Sequence, residues 1–248
     1  MIKRLKKIFS KSNPQQKRFK TEFKTLLDQE THSLKRFTLD ERNFFPCLND
    51  NTAETGFDRH YVYHPAWATR IVLNNKPDKH IDISSTLHFS SILSAFLPVE
   101  FYDYRPAKLD LPNLKSLAGD LLNLPFESDS VISLSCMHTV EHVGLGRYGD
   151  PIDYDGDLKA INELKRVLAP GGTLLFVVPL GAKNVICFNA HRIYAKDQVL
   201  TLFSDLELIQ FALIPEDESD GGLVTDPSDE LLSRQFYGCG CFWFSKKK

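Results

Sequence analysis

Residues 158–178 read Leu158-Lys-Ala-Ile-Asn-Glu-Leu-Lys-Arg-Val-Leu-Ala-Pro170-Gly-Gly-Thr-Leu-Leu-Phe-Val-Val178. Leu158, Ile161, Leu164, Val167 and Leu168 recur at helical spacing, which predicts an amphipathic helix. Pro170-Gly-Gly172 stops it, because proline lacks the amide a helix needs and glycine favours the turn. Thr173–Val178 then gives an apolar run of the length of a buried strand. Upstream, Lys79–Ile83, Val99–Tyr102, Leu117–Ala118 and Val131–Cys136 read as earlier strands separated by turn residues. Downstream, a short helix around Val199–Phe203 precedes two longer strands, Leu206–Ile214 and Tyr237–Phe244. The acidic stretch Glu216–Ser233 between them contains Gly221-Gly222 and reads as a surface loop. Strand–helix alternation predicts an α/β fold with a doubly wound, mostly parallel seven-stranded sheet. The last two strands predict an antiparallel C-terminal edge.

Ahead of that rhythm, Thr21 to about Glu30 reads as a helix. Pro65 sits where a helix's first turn tolerates proline, before Ala66-Trp-Ala-Thr-Arg-Ile-Val-Leu73. The expected division is a basic, partly helical extension over residues 1–44 and one domain over 45–248. With 248 residues, 42% hydrophobic and 25% charged, the composition excludes global disorder, collagen-like repeats and coiled coil. No apolar run approaches the roughly 18 residues that span a bilayer. The start is basic but lacks the apolar core of a secretion signal. The five cysteines include no C-x-x-C pair, and Cys239-Gly-Cys241 has no second Cys/His pair nearby in sequence. A reduced, cytoplasmic protein is the expectation; no metal site is assigned, and metal binding by His138, His142 and His191 stays open.

Residues 1–24 carry nine Lys/Arg against the single acid Glu22, a local balance of +8, while the whole chain carries −2. Two readings of this start stay open: a peripheral contact with an anionic membrane surface, or a solvated, frayed terminus. The body is acidic, which argues against a nucleic-acid partner, whose phosphates need a basic stripe.

In open α/β sheets, ligands bind beyond the carboxyl ends of the strands where the strand order reverses. Asp82, Asp103 and Asp120 stand at or just beyond the ends of the first three strands. Asp103 lies 21 residues after Asp82, close to the offset of about 20 at which an acid meets a ribose hydroxyl in nucleotide-binding folds. A carboxylate suits vicinal hydroxyls because it accepts two hydrogen bonds at once.

The succession of strand–Asp82, strand–Asp103, Gly119-Asp120-Leu-Leu-Asn-Leu-Pro-Phe126, Ser130-Val-Ile-Ser-Leu-Ser-Cys136 and Arg166-Val-Leu-Ala-Pro-Gly-Gly172 resembles the class I S-adenosylmethionine-dependent methyltransferases. Val140-Glu-His-Val-Gly-Leu-Gly-Arg-Tyr-Gly-Asp150, with Tyr61-Val-Tyr-His-Pro-Ala-Trp-Ala-Thr-Arg70 and Phe188-Asn-Ala-His-Arg192, resembles a methyltransferase-like family known only as a domain of unknown function. The resemblance implies S-adenosylmethionine as cofactor, held by Asp82, Ser84, Ser85, Asp103, Asp120, Leu121 and Cys136, with Asp103 on the ribose and Asp120 near the adenine. It implies methyl transfer to a small polar acceptor, with a sugar hydroxyl or glycan precursor as the first substrate class. One departure stands out. The turn after the first strand, usually glycine-rich in these enzymes, reads Ile81-Asp-Ile-Ser-Ser-Thr-Leu-His88. Side chains at Ser84 and Ser85 crowd a backbone turn that exploits glycine's freedom. A scaffolding protein that kept the fold and lost the cofactor is therefore the alternative, as is a different glycan-modifying enzyme on the same fold.

After the fourth strand, His138-Thr-Val-Glu-His142 matches the inverted zinc-protease pattern, but it follows a strand directly, where such a pattern needs a helix. The simpler reading makes Glu141 or His142 the base that takes a proton from an attacking hydroxyl. Gly144-Leu-Gly-Arg-Tyr-Gly-Asp-Pro151 reads as a substrate-facing loop carrying Arg147, Tyr148 and Asp150. The acids at 150, 153, 155 and 157 do not follow EF-hand spacing, and Asp155 or Asp157 suits a helix cap. His191 and Arg192 follow the fifth strand, with Arg192 either an anion clamp or a structural ion pair. Glu141, His142, Arg147, Asp150 and His191 are the candidate catalytic residues, expected to converge on one polar pocket.

Overall fold

The computed structural model describes residues 13–248. The first twelve residues of the basic start lie outside the described residues. The chain divides between Gly56 and Phe57 into two compact units.

In the first unit, helix α1 spans Pro14–Thr31. It begins earlier than the apolar pattern suggests because the Asn13 side chain accepts the amide of Gln15 and Pro14 fills the first helical position. Phe19 and Phe23 of α1 meet the Phe44 ring edge-on at 5.0 and 4.6 Å. No described helix is long and apolar enough to cross a membrane.

The second unit is a doubly wound α/β domain. Its strands are β1 His80–Ile83, β2 Val99–Asp103, β3 Leu114–Ala118, β4 Val131–Met137, β5 Leu168–Leu180, β6 Val185–Cys187, β7 His191–Ile193, β8 Glu207–Ile214, β9 Val224–Thr225 and β10 Gly238–Ser245. The main sheet runs β3-β2-β1-β4-β5-β10-β8-β9, with β6 and β7 forming a separate antiparallel pair. Neighbours from β3 through β5 are parallel, and β5-β10, β10-β8 and β8-β9 are antiparallel. The expected antiparallel edge is present, and the two-residue β9 extends it. Five helices accompany the sheet: α2 Arg59–Asn75, α3 Leu87–Leu93, α4 Gly156–Val167, α5 Lys196–Leu202 and α6 Asp229–Ser233. The 216–233 segment, read as a loop, thus contains β9 and α6.

Alternation along the central strands explains why both faces need cover. Leu174, Phe176 and Val178 of β5 join Ile161, Leu164 and Val167 of α4 in one core, whereas Leu175 and Val177 join Trp67, Ile71 and Val72 of α2 in the other. Leu158, counted in the predicted stripe, stays on the exposed margin of α4. Three expectations need correcting. Pro65 lies inside α2 rather than in its first turn, because Asp58 caps the helix by accepting the amide of Tyr61. Helix α4 ends at Val167, and Pro170-Gly-Gly172 enters β5, where a register shift in the β4–β5 pairing accommodates it. Asp155 is the N-cap residue of α4 but makes no side-chain capping bond, while Asp157 is buried and accepts from the Tyr194 hydroxyl at 2.9 Å.

The central strands are pinned by a buried polar chain. Ser133 Oγ lies 2.8 Å from His80 Nδ1, His80 Nε2 lies 2.9 Å from Ser135 Oγ, and the Ser135 hydroxyl donates to Asp82 at 2.6 Å. Ser90 of α3 donates to the other Asp82 oxygen. If His80 carries its proton on Nε2, every donor in the chain has an acceptor, so a fully buried acid and imidazole are held without an unpaired group.

Candidate functional site

The residues immediately beyond four parallel strands line one crevice: Ser84 after β1, Asp103 and Tyr104 at β2, Gly119 and Asp120 after β3, and His138 and Thr139 after β4. Its volume is about 340 Å³, and Arg105, Leu121, Leu122, His142, Val143, Tyr148, Asp150 and Pro151 complete the wall. The strand order reverses between β1 and β4, which places this crevice at the topological switch point. Thr139 Oγ1 donates to Ser84 O at 3.0 Å and so ties the two diverging strands together there.

The serine turn keeps a left-handed backbone without glycine. Ser84 has φ +54°, a conformation costly for most side chains. Its amide and hydroxyl both donate to Tyr102 O, at 2.8 and 3.1 Å. The hydroxyl is thereby folded against β2, which leaves the crevice clear. Ser85 turns the other way, is buried, and accepts the Met137 amide at 3.0 Å. Asp82, Ser85 and Cys136, all in the predicted cofactor set, lie buried beneath the crevice rather than in its wall. Ser84, Asp103, Asp120 and Leu121 lie in the wall itself. Asp103 accepts the Arg105 amide at 2.7 Å and Asp120 the Leu122 amide at 2.9 Å, each through one oxygen, and no described bond takes the second.

His138-Thr-Val-Glu-His142 does not form the helix that a zinc protease needs. His138 takes φ +56° and residues 140–142 make a single 3-10 turn. His142 lines the crevice, and its Nδ1 lies 2.6 Å from Ala190 O. A carbonyl only accepts, so Nδ1 carries the proton and Nε2 keeps a lone pair. Glu141 is buried, with Oε1 3.8 Å from His142 Nε2 and 2.9 Å from His138 Nδ1, and its Oε2 has no partner. Arg147 also donates to Ala190 O, at 3.1 Å, and the His142 and His191 rings stand 6.5 Å apart. The segments after β4 and β5 therefore meet at the His142 ring.

Asp150 accepts the amides of Gly144 and Gly146 through one oxygen and of Tyr148 through the other, at 2.7, 3.3 and 3.2 Å. Against the partial burial that raises it, the Tyr148, Gly144 and Gly146 amides hold the Asp150 carboxyl below its usual value. Gly144, Gly146 and Gly149 all have positive φ, and a Cβ on Gly144 would stand 2.1 Å from Asp153 O. Only glycine lets the loop close around Asp150 in this way. Arg192, read as either clamp or ion pair, is buried; it donates to Val143 O and Tyr154 O at 2.6 and 2.9 Å and lies 3.5 Å from Asp157. It fastens the loop to β7.

Sequence reasoning missed Tyr104 and Arg105. The Arg105 guanidinium sits 4.5 Å over the Tyr148 ring, and Arg147 lies 5.2 Å from the same ring. This stack joins the end of β2 to the glycine loop. It also missed His60 and Tyr237, whose rings stack at 5.2 Å beside His138 and His191. Burial and the neighbouring His138 push the His60 imidazole down to about 4.

The fold is that of the class I S-adenosylmethionine-dependent methyltransferases. The MccD protein superposes with a TM-score of 0.51 at 14% identity, covering 73% of this chain and 96% of its own. A Galdieria sulphuraria protein described as a sarcosine dimethylglycine methyltransferase gives 0.51 at 14% identity, covering 74% and 85%. The [4+2]-cyclase SpnF gives 0.50 at 10% identity, covering 74% and 80%. Residues 126–220 match a family described as a Caenorhabditis protein of unknown function, DUF268. A sequence comparison with curated proteins finds no match. A cyclase among these neighbours shows that the fold does not fix the reaction.

Proposed function

We propose that the chain transfers a methyl group from S-adenosylmethionine to a small polar acceptor, with a sugar hydroxyl or glycan precursor as the acceptor class. The observation that carries this reading is the wall at the switch point: Asp103 and Asp120, each with an oxygen to spare, beside an imidazole whose Nε2 lone pair is free. The crevice volume of about 340 Å³ falls in the range of small-ligand sites. Ser84 supports the fit because the turn adopts a positive φ without sending its hydroxyl into the space. Asp103 suits the ribose diol, and Asp120 with Leu121 suits the adenine. When bound, the cofactor supplies an electrophilic methyl group. The protein's part is to hold the acceptor hydroxyl near His142, accept its proton at Nε2, and exclude water under the Arg105–Tyr148 stack.

Asp103→Ala is expected to weaken S-adenosylmethionine binding by about 1–3 kcal/mol, the range for losing hydrogen bonds to a charged group. Equilibrium dialysis with labelled cofactor checks this, and an unchanged affinity removes Asp103 from the ribose.

The basic start is assigned to anionic membrane surfaces. Deleting residues 1–24 is expected to abolish salt-sensitive sedimentation with phosphatidylserine vesicles and to leave cofactor affinity unchanged. Vesicle binding that survives the deletion, or that ignores salt, contradicts this assignment.

A further inference from the structure

Donor atoms from three separate elements meet beside the crevice. They belong to His60 in the first turn of α2, His138 directly after β4, and Cys239 in β10, and all lie within 4.8 Å of one another. We propose that His60, His138 and Cys239 form a zinc site with its fourth position open to water or another exogenous ligand. The proposal does not depend on methyl transfer or on cofactor binding.

Geometry is the first argument. His138 Nε2 stands 3.4 Å from Cys239 Sγ. A tetrahedral zinc ion, bound at about 2.0–2.1 Å to nitrogen and about 2.3 Å to sulfur, holds those two atoms about 3.6 Å apart. The His60 ring lies 5.3 Å from the His138 ring, nearly parallel at 10°. His60 is only partly buried, whereas His138 and Cys239 are buried. His60 also stacks on the Tyr237 ring at 5.2 Å, so completing the set turns the His60 ring out of that contact.

Orientation is the second argument. Glu141 Oε1 sits 2.9 Å from His138 Nδ1. A carboxylate there fixes the proton on Nδ1 and turns the Nε2 lone pair toward Cys239, the arrangement that orients metal-bound histidines. His138, like Ser84, keeps a left-handed backbone, and its amide donates to Val177 O at 2.8 Å.

Unpaired polar atoms are the third argument. Glu141 is 1% exposed with no partner on Oε2. His64, wholly buried, spends Nδ1 on His60 O at 2.6 Å and has no partner on Nε2, with its ring edge-on to His138 at 5.1 Å. Buried polar atoms without partners are uncommon and costly. A nearby cation stabilises both the carboxylate and the ring lone pair. A thiol hydrogen bond from Cys239 to His138 explains their distance but leaves the Glu141 Oε2 without a partner.

Two imidazoles and one sulfur make a borderline-soft donor set, suited to zinc and not to magnesium or calcium. Binding forms a zinc–sulfur bond with an electron pair of the thiol, and the S–H proton leaves to solvent with no change of oxidation state. His138 also lines the crevice, so the ion stands at its edge.

The test uses the full chain, stripped with a chelator and titrated with Zn²⁺ and, in parallel, with Co²⁺. One equivalent of zinc per chain is expected, together with a thiolate-to-cobalt charge-transfer band in the wild-type spectrum. Cys239→Ser is expected to lose that band, His60→Gln to weaken zinc binding, and Glu141→Gln to weaken it by about 10–100-fold as the orienting carboxylate is lost. Far-ultraviolet circular dichroism confirms that each variant is folded, and the wild-type cobalt spectrum needs no variant at all. A wild-type chain that takes up no zinc, a cobalt spectrum without the thiolate band, or a folded His60→Gln chain that binds like the wild type overturns the site.

Discussion

His142→Ala is expected to slow methyl transfer by about 10²–10⁴-fold, the range for losing a positioned general base, while cofactor affinity stays at its wild-type value. The expectation rests on which ring nitrogen is free. Ala190 O lies 2.6 Å from Nδ1 and fixes the proton there, so Nε2 keeps the lone pair of a residue that lines the crevice. When Nε2 takes the acceptor's proton, the imidazolium gains the Glu141 carboxylate 3.8 Å away. Glu141 is buried at low effective dielectric, where that attraction is stronger than in water. Glu141→Gln keeps the shape and removes the charge, and it too is expected to slow the reaction. The measurement is single-turnover transfer of a labelled methyl group to sugar acceptors across a pH series. Full turnover in both variants makes these residues structural.

Between pH 6.5 and pH 4 the Asp82→Asn chain is expected to lose about 2 kcal/mol more stability than the wild type. Burial pushes the His80 imidazole down to about 3. Below its ordinary value near 6.5 the unfolded chain binds a proton that the folded chain refuses, so stability falls as pH falls. Asp82 works the other way. Burial lifts its carboxyl to about 6, against the bonds from Ser135, Ser85 and Ser90 that lower it. As pH falls from about 6 toward 4, the folded chain takes that proton before the unfolded chain does, which stabilises the fold and offsets His80. Asparagine retains the shape and removes the offset. Thermal unfolding of both chains at pH 6.5, 5 and 4 isolates the pair, since other titrating groups are common to both. Parallel curves for wild type and variant contradict the opposed roles.

Much of the fold was legible because strands and helices advertise themselves by period. The four parallel strands before β5, the α4 stripe and the antiparallel edge all follow from apolar spacing. Pro65 misled because the cap that starts α2, Asp58, lies seven residues upstream of it. Pro170-Gly-Gly172 misled because a bulged parallel pairing tolerates residues that a helix rejects. The crevice was legible only in part, for a reason of parity. Along β1, Ile81 and Ile83 face the core containing α4, and Asp82 faces the opposite core and Ser90 of α3. The wall begins with the residue after the strand, Ser84. An acid inside a strand and an acid just beyond one look alike in sequence, yet Asp82 supports the sheet and Asp120 faces the crevice. His60 and Cys239 carried no local signal, because their meeting with His138 depends on the pairing of β10 with β5 and the placement of α2.

The central claim is that the crevice between β1 and β4 binds S-adenosylmethionine despite its serine turn. Calorimetric titration of the full chain with S-adenosylhomocysteine, the demethylated product, tests it most directly. Saturable heat at one site per chain is expected, displaced by S-adenosylmethionine and weakened in Asp103→Ala. No heat at millimolar product, with the chain folded, would contradict it and leave the fold as a scaffold.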